Sequence, residues 1–317
     1  MRCPGRAPKP GSHKCETVPR AQEKAVMVDA SRHAIIRQVP ATGAGLHVTD
    51  CPGDEPALIL MHGFPDDCRI YNRLVPLLSP RRAVTFDFLG YGRSDRAQPG
   101  ALGRADHIYQ LGAVLDALGI ETAVLVGHDA SGPVAIDYAL SAPDRVDRLI
   151  LLNTYYGHTP ALRLPEMIRL LADPDFTPLA DAMLDDPSQR LWLLGHTARQ
   201  FGADPLDPDG VGITAIVPQF FGDEGHSDAL PAIRAWTTAL FSDLDAQDRR
   251  IAQGELAALD LPVTLVFGAL DRYLSPDLAT HLAGLFPKAV PHLIDGASHW
   301  PQWDQPRAVS ELIRCAP

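Results

Sequence analysis

The chain has 317 residues, of which 46% are hydrophobic and 21% charged, and 28 basic against 39 acidic side chains give a net charge of −11. This composition is that of an ordinary globular protein, long enough for one large α/β domain with an insertion. Because no basic stripe follows residue 24, we expect neither a nucleic-acid partner nor binding to an anionic membrane surface. No stretch of the sequence is long and apolar enough to span a bilayer.

The cysteine pattern indicates a reducing compartment. Five cysteines are scattered along the chain, at Cys3, Cys15, Cys51, Cys68 and Cys315. An odd number at these spacings fits neither a disulfide framework nor a set of metal ligands. We therefore expect a cytoplasmic protein with no metal and no cofactor.

The first 26 residues are predicted to be a disordered extension. They are rich in Pro, Gly, Arg and Lys, and they lack the continuous apolar core of a signal peptide. Residues 27–153 are predicted to form the first part of a core domain. Two alternating segments near Ala34–Val39 and Gly45–Thr49 open it, and their period of two predicts a β-hairpin.

Apolar runs then alternate with helical patterns along the chain. The predicted strands are Ala57–Met61, Ala83–Phe86, a run from Ala123, Val146–Asn153, Pro262–Phe267 and Val290–Leu293. The predicted helices are Cys68–Leu78, Ala105–Leu118, a helix after Asp129, Asp277–Leu285 and Arg307–Arg314. Continuous apolar runs are typical of strands buried on both faces, so the alternation predicts a mostly parallel sheet with helices on both sides.

Between Thr154 and about Gly254 this alternation stops. Helix candidates at Leu164–Leu171, Gln189–Thr197 and Leu230–Leu240 are separated by Pro, Asp and Gly. We interpret residues 154–254 as a helical cap inserted into the connections of the sheet. Residues 255–317 are predicted to complete the core.

The stretch from Ala123 to Pro133 has the layout of a nucleophile elbow. An apolar run ends at Gly127, Asp129 stands at the tip of a turn, and a helical pattern follows. The neighbours at Ala130 and Gly132 are small, as a strained turn requires.

The sequence of this turn allows two other interpretations. Asp129 could serve only as the N-cap of the next helix. Ser131 could be the nucleophile, but that register would require glycines at Asp129 and Pro133.

An aspartate at the tip indicates the type of reaction. Its carboxylate is ionised at neutral pH and needs no base to act as a nucleophile. Attack on an ester would give an unproductive anhydride, whereas attack on a saturated carbon gives an ester that water can hydrolyse. Asp129 therefore predicts displacement at an sp3 carbon that carries an epoxide oxygen or a halide.

From roughly Ala34 to Ile313 the chain resembles the capped α/β-hydrolases. The motifs that carry the resemblance are His62-Gly63-Phe64-Pro65, Asp87-x-x-Gly90-x-Gly92-x-Ser94, Gly127-His128-Asp129-Ala130-Ser131-Gly132, Asp271 after the seventh strand and His299 after the eighth. An elbow aspartate together with His-Gly-Phe-Pro resembles the epoxide hydrolases and haloalkane dehalogenases. The resemblance implies an α/β-hydrolase fold, with an eight-stranded, mostly parallel sheet and an inserted helical cap.

The resemblance also implies roles for individual residues. Asp129 would attack the substrate, His299 would act as general base on water, and Asp271 would orient the imidazole. Backbone N–H groups of Phe64 and Ala130 would form the oxyanion hole. In some dehalogenases the acid follows the sixth strand, but Asn153 stands there and cannot carry the charge. Structural roles in fixing loops are expected for His62 and Asp87.

The leaving group distinguishes the two activities. Epoxide opening requires a proton donor in the cap, and Tyr155 and Tyr156 are the candidates, unless they only pack at the hinge. Other conceivable donors are His158, His196, His226 and Tyr273.

Many dehalogenases carry Trp after the nucleophile or Asn after His-Gly, where this chain has Ala130 and Phe64. Trp192 and Trp236 could line the substrate pocket and donate to a halide, although packing is the commoner role. We expect an epoxide hydrolase acting on a small, mainly apolar molecule. The alternatives are a haloalkane or haloacid dehalogenase and, in another class, a small-molecule binding protein with a quiescent triad.

Overall fold

A computed structural model describes residues 35–41, 44–96, 102–201 and 229–315 of the chain. The predicted disordered extension, residues 1–26, lies outside these ranges, as does His226. Among the helices of the described ranges, none combines the length and the apolar character needed to cross a membrane.

The described residues form an eight-stranded sheet in the order β1-β2-β4-β3-β5-β6-β7-β8. The strands are β1 Ile35–Ala41, β2 Ala44–Cys51, β3 Asp54–Met61, β4 Arg81–Phe86, β5 Ala123–Asp129, β6 Val146–Thr154, β7 Val263–Gly268 and β8 Ala289–Ile294. Strand β2 runs antiparallel to both β1 and β4, and all other neighbours are parallel. This topology confirms the predicted hairpin and the predicted mostly parallel sheet.

Helices cover both faces of the sheet and fill the insertion between β6 and β7. They are α1 Arg104–Ala117, α2 Ser131–Ser141, α3 Glu166–Ala172, α4 Thr177–Asp185, α5 Pro187–Gln200, α6 Leu230–Ala252, α7 Glu255–Ala258, α8 Pro276–Ala283, α9 Pro301–Asp304 and α10 Pro306–Cys315.

Alternate residues of the central strands enter two separate apolar layers. On one face Ile59 and Leu125 pack with α1 and α2, and on the other Leu60 and Val126 pack with α10. All four strand residues are fully buried. A strand covered on both faces has no polar side to alternate with, which explains the continuous apolar runs in the sequence.

The predicted helix Cys68–Leu78 is wrong. The segment forms two short 3₁₀ turns instead, Cys68–Tyr71 and Val75–Leu77. Proline lacks an N–H group, so Pro76 could not bond back to the carbonyl of Asn72 within a continuous helix.

The helical insertion predicted between β6 and β7 is present. Its described part contains α3, α5 and α6 near the three predicted helices, and α4, which the sequence analysis did not predict. Helix α6 runs twelve residues beyond the predicted end at Leu240 and stops at Ala252. Gly254 follows with φ +74°, the left-handed conformation that commonly ends a helix.

Candidate active site

The turn between β5 and α2 places Asp129 in a strained conformation. Its φ is +49°, in the left-handed region that a non-glycine residue rarely adopts. The hydroxyl of Thr154, at the end of β6, donates to the carbonyl oxygen of Asp129 at 2.5 Å. Strain held in this way by neighbouring contacts is typical of functional positions.

Close packing around the turn explains its small residues. A Cβ on Gly63 would lie 2.6 Å from the Cβ of Asp129, and one on Gly132 would lie 1.9 Å from Oγ1 of Thr154. Ser131 is buried, and its hydroxyl donates to backbone carbonyls and accepts from the N–H of His128 at 2.8 Å. Ser131 therefore holds the turn together through its hydroxyl group.

Backbone N–H groups hold the Asp129 carboxylate. The N–H of Phe64 donates to Oδ2 at 2.9 Å, and the N–H of Ala130 also hydrogen-bonds the carboxylate. The two residues predicted for an oxyanion hole thus contact Asp129 itself. An oxyanion that developed on this carboxyl group would meet preorganised donors.

His299 and Asp271 form a buried pair beside this turn. Nδ1 of His299 lies 2.7 Å from Oδ2 of Asp271. The same oxygen accepts from the amide of Asn153 at 2.8 Å, and Oδ1 accepts from the N–H groups of Tyr273 and Leu274. Asn153 therefore orients Asp271, a role that the sequence analysis did not assign to it.

The charges of this cluster shift the pKa values of its members. Burial lowers the pKa of His299, but Asp271 and Asp129 outweigh this effect and raise it to about 9. Burial raises the pKa of Asp129 above its ordinary value, opposed by the charge of His299. Burial also acts to raise the pKa of Asp271, yet the charge of His299 and hydrogen bonds from His299, Tyr273 and Asn153 leave that pKa lowered. With a pKa of about 9, His299 is an imidazolium at neutral pH, paired with the carboxylate of Asp271.

Asp129 and His299 open into one largely apolar cavity of about 710 Å³, including its open mouth. The ring of Phe201, which directly follows α5, lies 4.7 Å from the ring of His299. Trp236, on α6, stacks on Phe64 with centroids 4.0 Å apart. The insertion therefore supplies aromatic walls to a site whose carboxylate and imidazole, Asp129 and His299, come from the core.

The structure separates the two tyrosines at the start of the insertion. Tyr155 is buried and lines the cavity, where burial and the charge of Asp129 raise its pKa well above the ordinary value. Tyr156 is fully buried elsewhere and donates to Oδ1 of Asp137 at 2.6 Å. The prediction of Tyr156 as a proton donor is therefore wrong, because its hydroxyl is held by a carboxylate outside the cavity.

The two predicted tryptophans also differ. Trp236 lines the cavity, whereas Trp192 is 59% exposed on α5 and stacks on His196. The placement of Trp192 in the pocket is wrong, because it lies on the outer face of its helix. The side chain of His158 bonds Asp248 at the surface, away from the cavity lining. Tyr273 does line the cavity, but its hydroxyl donates to Glu166 at 2.7 Å.

Loop-fixing contacts occupy His62 and Asp87. Nδ1 of His62 donates to the carbonyl of Gly63, and Nε2 accepts from the N–H of Phe88. The carboxylate of Asp87 accepts from the N–H groups of Cys68 and Arg93. These contacts agree with the expected structural roles.

Comparison with known proteins agrees with this architecture. Residues 56–193 match the family described as alpha/beta hydrolase fold. Haloalkane dehalogenase 2 of Mycobacterium tuberculosis is 23% identical over 273 residues, 84% of this chain and 90% of that protein. Epoxide hydrolase 2 of Siraitia grosvenorii is 25% identical over 310 residues, 87% of this chain and 95% of that protein.

The crystal structure of Cfl2 from Burkholderia cenocepacia superimposes with a TM-score of 0.71 at 24% identity, covering 90% of this chain and 95% of that one. The predicted fold class is thereby confirmed. The protein is an enzyme of the α/β-hydrolase fold.

Proposed function

We propose that the protein hydrolyses an epoxide to a vicinal diol through an ester on Asp129. The observation that carries this proposal is a carboxylate, held by the N–H groups of Phe64 and Ala130, in the same apolar cavity as His299 and Tyr155. The predicted roles of Asp129, His299 and Asp271 remain part of the proposal.

In the first step a carboxylate oxygen of Asp129 attacks a ring carbon, and the carbon–oxygen bond of the epoxide breaks. The oxygen that leaves takes a proton from the hydroxyl of Tyr155. Burial keeps this hydroxyl protonated until the alkoxide, a much stronger base, develops beside it. The products are an ester on Asp129 and a neutral hydroxyl group on the substrate.

Ester formation changes the charge around His299. It removes the negative charge of Asp129, one of the charges that raise the pKa of His299. The imidazolium then loses its proton more readily, and this proton restores the hydroxyl of Tyr155. His299 becomes a neutral base at the stage where a base is required.

In the second step His299 removes a proton from water, and the resulting hydroxide attacks the ester carbonyl of Asp129. The oxyanion that forms is stabilised by the N–H groups already bonded to this carboxyl group. Collapse breaks the bond between the carbonyl carbon and the ester oxygen, which takes the proton from His299 as the diol leaves. The proton that remains on the new carboxyl group of Asp129 then passes to His299 and restores the carboxylate and the imidazolium. Asp271 orients the imidazole and stabilises its charged form throughout.

The arrangement of cavity donors favours an epoxide over a haloalkane. The indole N–H of Trp300 faces Asp66, to which it donates at 2.9 Å, and is not free for a halide. Trp236 also lines the cavity, and its indole N–H could donate to a halide. Halide release is therefore the second candidate activity. We further propose that the insertion, residues 154–254, acts as the cap that selects the substrate.

Oxygen labelling tests the covalent step. With enzyme in excess over substrate in ¹⁸O-water, a single turnover should give unlabelled diol, and ¹⁸O should appear in the peptide that contains Asp129. His299→Gln should accumulate the ester, visible by mass spectrometry as an adduct on this peptide, and Asp129→Asn should show neither result. Label in the first diol would mean direct attack by water and would exclude the ester.

A panel of alkyl and aryl epoxides, run beside 1-haloalkanes of matched size, tests the substrate class. We expect diol from at least one epoxide. Halide release, with no diol from any epoxide, would show that the enzyme is a dehalogenase that uses Asp129 as its nucleophile.

A further inference from the structure

Asp66 is a buried acid that the proposed mechanism does not use. It directly follows the His-Gly-Phe-Pro motif and is fully buried. Oδ2 accepts a hydrogen bond from Nε1 of Trp300 at 2.9 Å, whereas Oδ1 has no partner among the described residues. An unpaired oxygen on a buried carboxylate is unfavourable, and a proton on this group relieves the charge.

A second unpaired atom faces this carboxyl group. Nδ1 of His128 lies 3.9 Å from Oδ2 of Asp66 and also lacks a hydrogen-bond partner in the part of the chain that the structure describes. Nε2 of His128 lies 2.9 Å from the carbonyl oxygen of His299 and must donate to it. Because burial lowers the pKa of His128 well below its ordinary value, the ring is neutral and Nδ1 carries a lone pair.

The groups around Asp66 come from four segments. They are Asp67 on its own loop, Tyr71 on the following turn, His128 and Asp129 at the end of β5, and His299 and Trp300 after β8. Burial, with smaller contributions from Asp129 and Asp67, raises the pKa of Asp66 to about 7, although Trp300 and His299 act to lower it. The charge on Asp66 in turn raises the pKa of His299.

We propose that Asp66 is a positioning residue that holds a proton beside Nδ1 of His128 and thereby controls the charge of His299 during ester hydrolysis. This role rests on the proposed function. An ionised Asp66 would stabilise the imidazolium, which cannot accept a proton from water. A protonated Asp66 adds no charge, and its Oδ2 lies 3.9 Å from Nδ1 of His128, beyond direct hydrogen-bond distance.

The timing of this effect follows from the ester. Once Asp129 is esterified, the carboxylates that still act on His299 include Asp271, which orients it, Asp66 and Asp304. The protonation state of Asp66 therefore determines how readily His299 becomes a base. Asp66→Asn should mimic the protonated form, because the amide is neutral and its oxygen can still accept from Trp300.

Histidine NMR tests this inference without substrate. In protein labelled at histidine, the His299 signals are assigned by their absence in His299→Gln. Asp66→Asn should lower the titration midpoint of His299 by about one pH unit, the lower end of the effect of a nearby charge. A folded Asp66→Asn variant with an unchanged midpoint would overturn the proposal.

Trp300→Phe provides a second variant in case Asp66→Asn does not fold. It removes the hydrogen bond to Oδ2, which acts to lower the pKa of Asp66. The titration of Asp66 should appear as a second, smaller step in the His299 signals, and in Trp300→Phe this step should move to higher pH. No change in that step would also count against the proposal.

A kinetic arm separates this proposal from the proposed function. If an epoxide substrate is found, the acidic limb of the ester-hydrolysis rate should move to lower pH in Asp66→Asn. If no epoxide reacts, the proposed function fails, whereas the NMR result still decides whether Asp66 controls the charge of His299.

Discussion

Two consecutive tyrosines have opposite surroundings. Tyr155 lines the cavity, and Tyr156 points into a buried network in which Asp137 also pairs with Arg104. In an extended segment successive side chains point to opposite sides, so neighbours in sequence can serve unrelated purposes. Substituting each tyrosine separately can therefore distinguish chemistry from stability.

Tyr155→Phe should reduce kcat on an epoxide at least about tenfold, because a positioned proton donor contributes roughly 10²–10⁴-fold. Tyr156→Phe should leave kcat nearly unchanged but lower the free energy of unfolding by about 1–3 kcal/mol, since it leaves a buried carboxylate short of one donor. Steady-state kinetics and urea unfolding measure the two effects. An unchanged kcat in Tyr155→Phe would show that another group protonates the alkoxide.

At the scale of elements, the elbow is a contact between β5, α2 and the end of β6. Gly132, in the first turn of α2, faces Thr154, whose hydroxyl supports the carbonyl of Asp129. The helix can approach β6 this closely only because Gly132 lacks a side chain. Gly112, within α1, is in ordinary surroundings, because a Cβ there would lie 3.6 Å from Cε2 of Tyr138.

These two helical glycines form a matched pair for a stability experiment. Gly132→Ala should destabilise the protein by about 1–3 kcal/mol and impair turnover, because the added methyl group forces α2 away from Thr154. Gly112→Ala should stabilise it by about 0.5–1 kcal/mol, because alanine favours a helix more than glycine does. Urea unfolding compares the two, and a stable, fully active Gly132→Ala would contradict the close contact.

At the scale of the whole molecule, the site is assembled from loops that follow the carboxyl ends of β3, β5, β7 and β8. Such an edge is where open parallel sheets bind ligands. The insertion closes this edge, and α6 is tied to the segment after β6 by a hydrogen bond of 2.7 Å from the N–H of Gly157 to Oε1 of Gln247. The assembly concentrates charge, so stability should depend on pH.

Thermal unfolding across pH tests this charge coupling. The folded pKa of His299, about 9, lies above its ordinary value of 6.5. Its proton therefore contributes stability that is fully present below about pH 6.5 and is lost as the pH rises through about 9. The difference in Tm between the wild type and His299→Gln should narrow from pH 6 to pH 9.5, and a constant difference would contradict the raised pKa.

Local patterns in the sequence determined the sheet and the order of its functional motifs. Continuous apolar runs mark strands buried on both faces, and Asp129 and Asp271 each lie at the end of or after such a run, whereas His299 follows the largely exposed edge strand β8. The resemblance to the capped α/β-hydrolases predicted that these side chains would meet, and their placement after parallel strands that end at one edge of the sheet agrees with that prediction. The small residues around Asp129 likewise predicted a tight turn.

Only the tertiary structure decided which polar and aromatic side chains enter the cavity. Tyr156 and Trp192 have the residue types expected there but face Asp137 and the surface, because the packing of each helix or segment determines the direction of its side chains. Asp66 and Asn153 became relevant through contacts with Trp300 and Asp271, 234 and 118 residues away in sequence. Long-range contacts of this kind leave no local pattern in the sequence. They nevertheless determine the pKa values of the side chains, because burial removes water and brings other charges close.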